Sequence, residues 1–167
     1  MNVRLGSKLK IASASFAALT FVGFVPGAHA AEAEYSGQWC GHFKSTVLES
    51  NSEVTTLITE GWGIETPPYT VQLFANATLH CAGYTRVLEG KRFQMGSCKW
   101  MDGSGDSFVG EYEDQPDMPG KWTFLAGTGK WKGIKGTGTY KSVASGKPTA
   151  QGTVQICRVH SGKYTLP

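Results

Sequence analysis

Short runs of apolar and aromatic residues, separated by glycine and polar turns, recur from residue 31 to the end of the chain. In the first run, Trp39, Gly41 and Phe43 alternate with more polar neighbours. A period of two residues is typical of a strand with one buried face. The pattern predicts an all-β fold, a small antiparallel barrel of about eight strands. The predicted strands are Gln38–Lys44, Glu53–Glu60, Thr70–His80, Tyr84–Leu88, Arg92–Lys99, Ser107–Glu113, Trp122–Leu125, Thr137–Val143 and Thr153–His160.

One hairpin can be placed in register. Glu89 and Gly90 form a natural two-residue turn, and pairing outward from this turn sets Cys81 opposite Cys98. Counting along the ladder makes this a non-hydrogen-bonded pair, whose Cα atoms lie about 4.5 Å apart, within reach of a disulfide. The register therefore predicts a Cys81–Cys98 disulfide.

The same register sorts the hairpin side chains into two faces. The residues expected to face the core are Tyr84, Leu88, Phe93 and Met95. The residues expected to share the disulfide's side and to face solvent are Val87, Thr85, Gln94 and Arg92.

The remaining cysteines, Cys40 and Cys157, lie near the start of the first strand and in the last strand. A disulfide between them joins the two ends of the sheet, which are neighbours only in a closed barrel. No two cysteines have the C-x₂₋₄-C spacing of a zinc site. We therefore expect two disulfides and neither metal nor cofactor.

The first 30 residues have the features of a cleavable signal peptide. Arg4, Lys8 and Lys10 precede the apolar run 11–25, and residues 28–30 supply the small side chains of a cleavage site. The run is too short to cross about 30 Å of hydrocarbon, so no stable membrane anchor is expected. The mature chain, residues 31–167, is predicted to be one periplasmic or secreted domain.

Removal of this segment leaves 13 basic and 13 acidic residues, so the basic pI gives no reason to expect nucleic acid. Residues 31–117 carry a net charge of −8 and residues 118–167 a net charge of +8. Two explanations stay open. The favoured one is that the two parts fold together and offset each other, and the rival is an exposed basic face for an anionic partner.

A glycine-rich passage follows the predicted strand Trp122–Leu125. Gly127-Thr128-Gly129, a short helical turn and Gly136-Thr137-Gly138 lead into the next strand. The passage resembles the barrel family of allene oxide cyclases, plant dirigent proteins and their bacterial relatives. The resemblance implies an eight-stranded antiparallel barrel with an apolar cavity, often trimeric in the plant members. The catalytic residues of the plant enzymes have no match here, and the cysteine pairs are not part of their pattern.

A second resemblance, to lipocalins and avidins, rests on Gly37-Gln38-Trp39. It implies that Arg158 on the last strand packs on Trp39 through a cation–π contact.

Candidate chemistry is sparse. Glu111 is a weak candidate for a general acid, although alternation with aromatic residues favours a solvated face for it. The loop from Asp102 to Asp106 superficially resembles a calcium loop, but a tight hairpin turn explains it more simply. His42, His80 and His160 have no nucleophile in a recognisable local motif.

The aromatic residues favour a small-molecule pocket. The candidate ligand-binding residues are Trp39, Tyr84, Phe93, Tyr112 and Trp122. The leading hypothesis is a barrel that binds a small, largely apolar molecule. Alternatives are a cyclase or isomerase using the same cavity, and a secreted interaction or inhibitor protein acting through the loop Glu113–Pro119.

We expect the mature protein to begin at Ala31. Intact-mass measurement of the exported protein, before and after reduction, should give the mass of residues 31–167 with two disulfides. A mass that retains residues 1–30 would contradict the cleavage prediction.

Overall fold

The computed structural model describes residues 32–71 and 74–167, so the predicted signal segment lies outside the described residues. The described chain forms eight strands, followed here in chain order. They are β1 (Glu32–Ser50), β2 (Val54–Thr66), β3 (Thr78–Leu88), β4 (Lys91–Met101), β5 (Ser107–Asp114), β6 (Gly120–Gly127), β7 (Lys135–Ser145) and β8 (Thr153–Thr165). Among these residues, no helix is long and apolar enough to span a membrane.

The strands form a closed antiparallel barrel, in which each strand pairs with the next and β8 pairs back with β1. Closure leaves no sheet edge unpaired along most of each strand, which removes the usual site of edge-to-edge aggregation. The prediction of an all-β, eight-stranded barrel is confirmed.

Both disulfides are present as predicted. Cys81 pairs with Cys98 in the β3–β4 ladder and Cys40 with Cys157 in the β1–β8 ladder, each with a Cα–Cα distance of 4.0 Å. The turn residue Glu89 has a φ of 51°, and Gly90 has a φ of 74°. Positive φ at both central positions defines the hairpin turn whose twist matches the flanking strands, so the predicted register holds over the whole hairpin.

The prediction of which hairpin face is buried is wrong. Thr85 is 1% exposed and Gln94 is 7% exposed, whereas Met95 is 57% exposed. The Cys81–Cys98 disulfide is an apolar crosslink that faces the barrel interior, and its neighbours on that face are polar because they line a cavity. The outer face carries the four residues that were predicted to face the core, Tyr84, Leu88, Phe93 and Met95.

The predicted strand Thr70–His80 is correct only from Thr78 onward. Pro67 and Pro68 follow the end of β2, and Asn76 has a φ of 56°, which interrupts an extended chain before β3. Phe74, in this connection, is 1% exposed because it enters the end of the barrel.

The passage after β6 folds as predicted. β6 ends at Gly127, a 3-10 helix spans Gly129–Trp131, and β7 begins at Lys135. Gly129 has a φ of 51°, and a side chain there would collide with the carboxylate of Asp106. Trp131 is 1% exposed and Ile134 is fully buried, so this passage covers the same barrel end as Phe74.

We call this end of the interior the plug, and define it by the buried side chains Phe74, Phe108, Phe124, Trp131 and Ile134. The Phe108 ring centroid lies 4.7 Å from Trp131 and 5.3 Å from Phe124. These are distances at which aromatic pairs add to the hydrophobic gain from burial.

The loop between β4 and β5 is a hairpin turn, as the simpler explanation predicted. The Asp102 carboxylate accepts hydrogen bonds from the Ser104 amide (2.8 Å) and Trp131 Nε1 (3.2 Å), and it pairs with Lys130 Nζ (2.7 Å). Burial opposes ionisation, but these partners hold the pKa of the Asp102 carboxyl well below its usual range. The loop therefore ties β4–β5 to the helical turn that covers the plug.

The charge asymmetry is used inside the domain, as the favoured explanation expected. Each Lys or Arg ion pair found among the described residues joins the acidic part of the chain to the basic part. These pairs are Lys130–Asp102, Arg158–Asp114 and Lys163–Glu32.

The two disulfides should differ in their contribution to stability. Cys40 and Cys157 are 117 residues apart, whereas Cys81 and Cys98 are 17 apart. Because the longer loop restricts the unfolded chain more, we expect paired Ala substitutions to lower the unfolding free energy by about 4–5 kcal/mol for Cys40/Cys157 and about 3 kcal/mol for Cys81/Cys98. Urea unfolding of the two variants measures this, and the reverse order would contradict it.

Candidate functional site

The half of the barrel interior opposite the plug is hollow. It contains a cavity of about 210 Å³, which we call the chamber. The chamber opens at the barrel end that carries the Glu89-Gly90 turn and the β5–β6 loop. Arg92, Tyr140 and Arg158 line both the chamber and the surface groove outside it, so they mark its mouth.

Aromatic rings form much of the chamber wall. They belong to Trp39, Phe43, Trp100, Tyr112, Trp122 and Tyr140. Apolar side chains of Leu57, Val154 and Ile156 and the inner disulfide Cys81–Cys98 complete the apolar part. The wall thus presents flat apolar surface on several sides.

Inward glycines make room for these rings. A Cβ on either Gly83 or Gly96 would collide with the Tyr112 hydroxyl, and a Cβ on Gly110 would collide with the Trp122 ring. Gly83 and Gly96 are direct partners in the β3–β4 ladder. The glycines in these strands therefore let large rings lie across the wall.

Of the five candidate ligand-binding residues, Trp39, Tyr112 and Trp122 line the chamber. Tyr84 and Phe93 do not, because they lie on the outer face of the hairpin. Tyr84 is 36% exposed, and the Arg86 guanidinium lies 5.0 Å from the Phe93 ring centroid. The prediction that Tyr84 and Phe93 line the pocket is wrong, because it rested on the incorrect choice of the buried face of the β3–β4 hairpin.

Glu111, the weak catalytic candidate, also lies outside. It is exposed on the outer face of β5, whereas Phe108, Gly110 and Tyr112 are buried. A carboxylate in that position cannot act on a molecule in the chamber.

Arg158 packs at the mouth between two aromatic rings. Its guanidinium carbon lies 5.6 Å from the Trp39 ring centroid and 4.8 Å from that of Tyr140. The predicted contact with Trp39 is therefore present. The Asp114 carboxylate lies 3.6 Å away, a long ion pair, and the Arg158 side chain is only 12% exposed.

Polar atoms in the chamber are not all satisfied. Thr85 Oγ1, Tyr140 Oη and Arg158 Nε are buried and make no hydrogen bond to any described residue. Arg92 Nη2 donates to Gln94 Oε1 at 2.6 Å. Burial raises the pKa of the Tyr112 and Tyr140 hydroxyls, so both stay protonated at neutral pH.

A buried acid–histidine pair separates the chamber from the plug. Trp100 Nε1 donates to Glu65 Oε1 at 3.1 Å, and His160 Nε2 lies 3.0 Å from the same oxygen. The Glu65 side chain is fully buried, while His160 lines the chamber. On the plug side, the His160 ring centroid lies 6.0 Å from that of Phe74.

Sequence reasoning missed Glu65 and left His160 without a partner. The second strand was predicted to end at Glu60, whereas β2 runs to Thr66. Extending the inward alternation from Thr59 through Gly61 and Gly63 would have placed the Glu65 carboxylate inside the barrel.

Among the described residues, no group of three or more His, Cys, Asp or Glu side chains is arranged as metal ligands.

Comparison with known proteins gives a structural likeness but no sequence match. No family model and no curated protein matches the chain. Among solved structures, the chain is similar to the pterocarpan synthase dirigent protein GePTS1, with a TM-score of 0.47 and 11% sequence identity over 91% of this chain and 99% of that one.

Glu65 should be a structural requirement of the interior. Glu65→Leu leaves the Trp100 indole and His160 without their buried partner, so we expect it to lower the unfolding free energy by about 3 kcal/mol. Glu65→Gln keeps an acceptor and a donor in place and should lose about 1 kcal/mol. Urea unfolding measures both, with Glu111→Leu as an exposed control that changes by no more than about 0.5 kcal/mol. A Glu65→Leu variant as stable as the parent would refute this role.

Proposed function

We propose that this protein is an exported carrier or receptor that holds a small, largely apolar molecule in the chamber. The observation that carries the proposal is the contrast between the two halves of one interior. The plug is filled by interlocking rings, whereas the chamber leaves about 210 Å³ open. Protein interiors are normally close-packed, with few voids larger than a water molecule.

The size and walls of the chamber favour a compact, flat ligand. Drug-sized ligands occupy pockets of about 300–1,000 Å³, so this chamber suits a smaller molecule. The indole rings of Trp39, Trp100 and Trp122 offer apolar faces and edges on which an aromatic body can pack.

The two disulfides support export as part of the proposal. Both disulfides belong to an oxidising compartment. The Cys81–Cys98 bond forms part of the chamber wall, which couples oxidation to the shape of the site.

A second function, acid–base isomerisation, is favoured by one observation. His160 lines the chamber and is held by the Glu65 carboxylate behind it, the arrangement by which a carboxylate orients an imidazole. A carrier releases its ligand unchanged, whereas an isomerase releases it rearranged, and this outcome separates the two.

Filling the chamber should weaken binding. Val154 lines the chamber near its mouth, so Val154→Trp should weaken binding of the neutral probe 2-naphthol at least about tenfold by calorimetry. The control is Val143→Trp, because Val143 is 49% exposed on the neighbouring strand β7 and lies outside the chamber wall.

Equal binding by the parent and Val154→Trp would show that the probe sits elsewhere. Loss of binding in both variants would show a general disturbance of the barrel, which thermal unfolding would reveal. Chemical analysis of the probe after incubation reports any turnover.

A further inference from the structure

Aromatic rings surround the middle of the chamber, His160 lies at its inner end, and a polar row lies near its mouth. Thr85 pairs with Gln94 in the β3–β4 ladder, and Gln94 pairs with Asp114 in the β4–β5 ladder, so these three lie side by side. One step deeper, Tyr112 faces the glycine pair Gly83/Gly96. Because His160 is already paired with Glu65, a ligand with one polar end would sit with that end toward the mouth.

The polar row carries unused hydrogen-bond donors. Thr85 is 1% exposed, and its hydroxyl has no hydrogen-bond partner among the described residues. Arg158 Nε is also buried without a hydrogen-bond partner among them. Leaving a buried polar atom unpaired is unfavourable by about 1–3 kcal/mol, so such groups in a cavity indicate a missing partner. Arg158 Nε can only donate, and the Thr85 hydroxyl can donate as well, so the missing partner is an acceptor.

The two guanidinium groups beside this row outnumber its one carboxylate. Arg92 and Arg158 both line the chamber, and among the described residues Asp114 is the one carboxylate within 4 Å of either guanidinium. Arg92 bonds to the neutral Gln94, so its charge is not offset within the chamber. An anionic acceptor gains more from such donors than a neutral one.

Resting on the proposed binding function, we propose that the ligand is a compact aromatic carboxylate. Its ring lies among Trp39, Tyr112 and Trp122, and its carboxylate accepts from Thr85 and Arg158, with Arg92 adding favourable charge. The Arg158 contact with the Trp39 and Tyr140 rings holds the guanidinium in place before the ligand arrives.

Two probes of equal shape test the proposal. 2-Naphthoate and 2-naphthamide differ in charge but hardly in size, and calorimetry at neutral pH and low salt measures both on the intact, oxidised protein. We expect the carboxylate to bind at least about tenfold more tightly than the amide, with the preference shrinking as salt is added.

Variants locate the preference. Thr85→Val removes only the hydroxyl, so it should weaken 2-naphthoate binding several-fold without lowering stability, because the hydroxyl has no partner in the free protein. Arg158→Gln should bring the ratio of the 2-naphthamide to the 2-naphthoate dissociation constant close to one. Arg86→Gln, on the outer face beside Phe93, should leave the preference unchanged.

The outcomes distinguish the carboxylate assignment from the binding function of the chamber. Equal binding of the two probes overturns the carboxylate assignment and leaves the chamber as a binding site. Failure of both probes, together with failure of 2-naphthol, overturns the binding function itself. If Arg158→Gln does not fold, retention of the full preference by Thr85→Val and Arg92→Gln would still refute the assignment.

Discussion

The pairing of β8 with β1 is the interaction on which the rest of the structure depends. It turns a meander of eight strands into a barrel with an enclosed interior and brings residues from the two ends of the domain side by side. The Cys40–Cys157 disulfide and the Lys163–Glu32 ion pair reinforce this junction from outside. Without it, Trp39 and Arg158 would not meet, and the chamber would have no wall on that side.

Closure alone does not decide what fills the interior. At one end the connections after β2 and β6 insert Phe74 and Trp131, which complete the plug. At the other end the turns stay on the rim, and inward glycines leave aromatic rings flat against the wall. The Glu65–His160 pair lies between the two regions, where a fully buried carboxylate requires specific partners.

Much of the fold could be predicted from the sequence, because strand alternation, the Glu89-Gly90 turn and the cysteine positions are local or pairwise signals. The inner face of the β3–β4 hairpin could not. Thr85 and Gln94 look like surface residues, and they are buried only because the six other strands close the barrel around them. Phe74 was predicted to lie in a strand, because the local sequence does not show that its side chain enters the end of the barrel. Glu65 was missed because the extent of β2 is set by its pairing with β1 and β3.

One half of the closed interior is filled by side chains, and the other half is a hollow, largely apolar site. Diffraction from crystals held under xenon pressure tests this directly, since xenon enters apolar cavities that lack a filling side chain. We predict xenon in the chamber beside Trp39, Tyr112 and Trp122, and none among the rings of the plug. A barrel with no internal xenon, or one in which side chains occupy the chamber, would contradict the account.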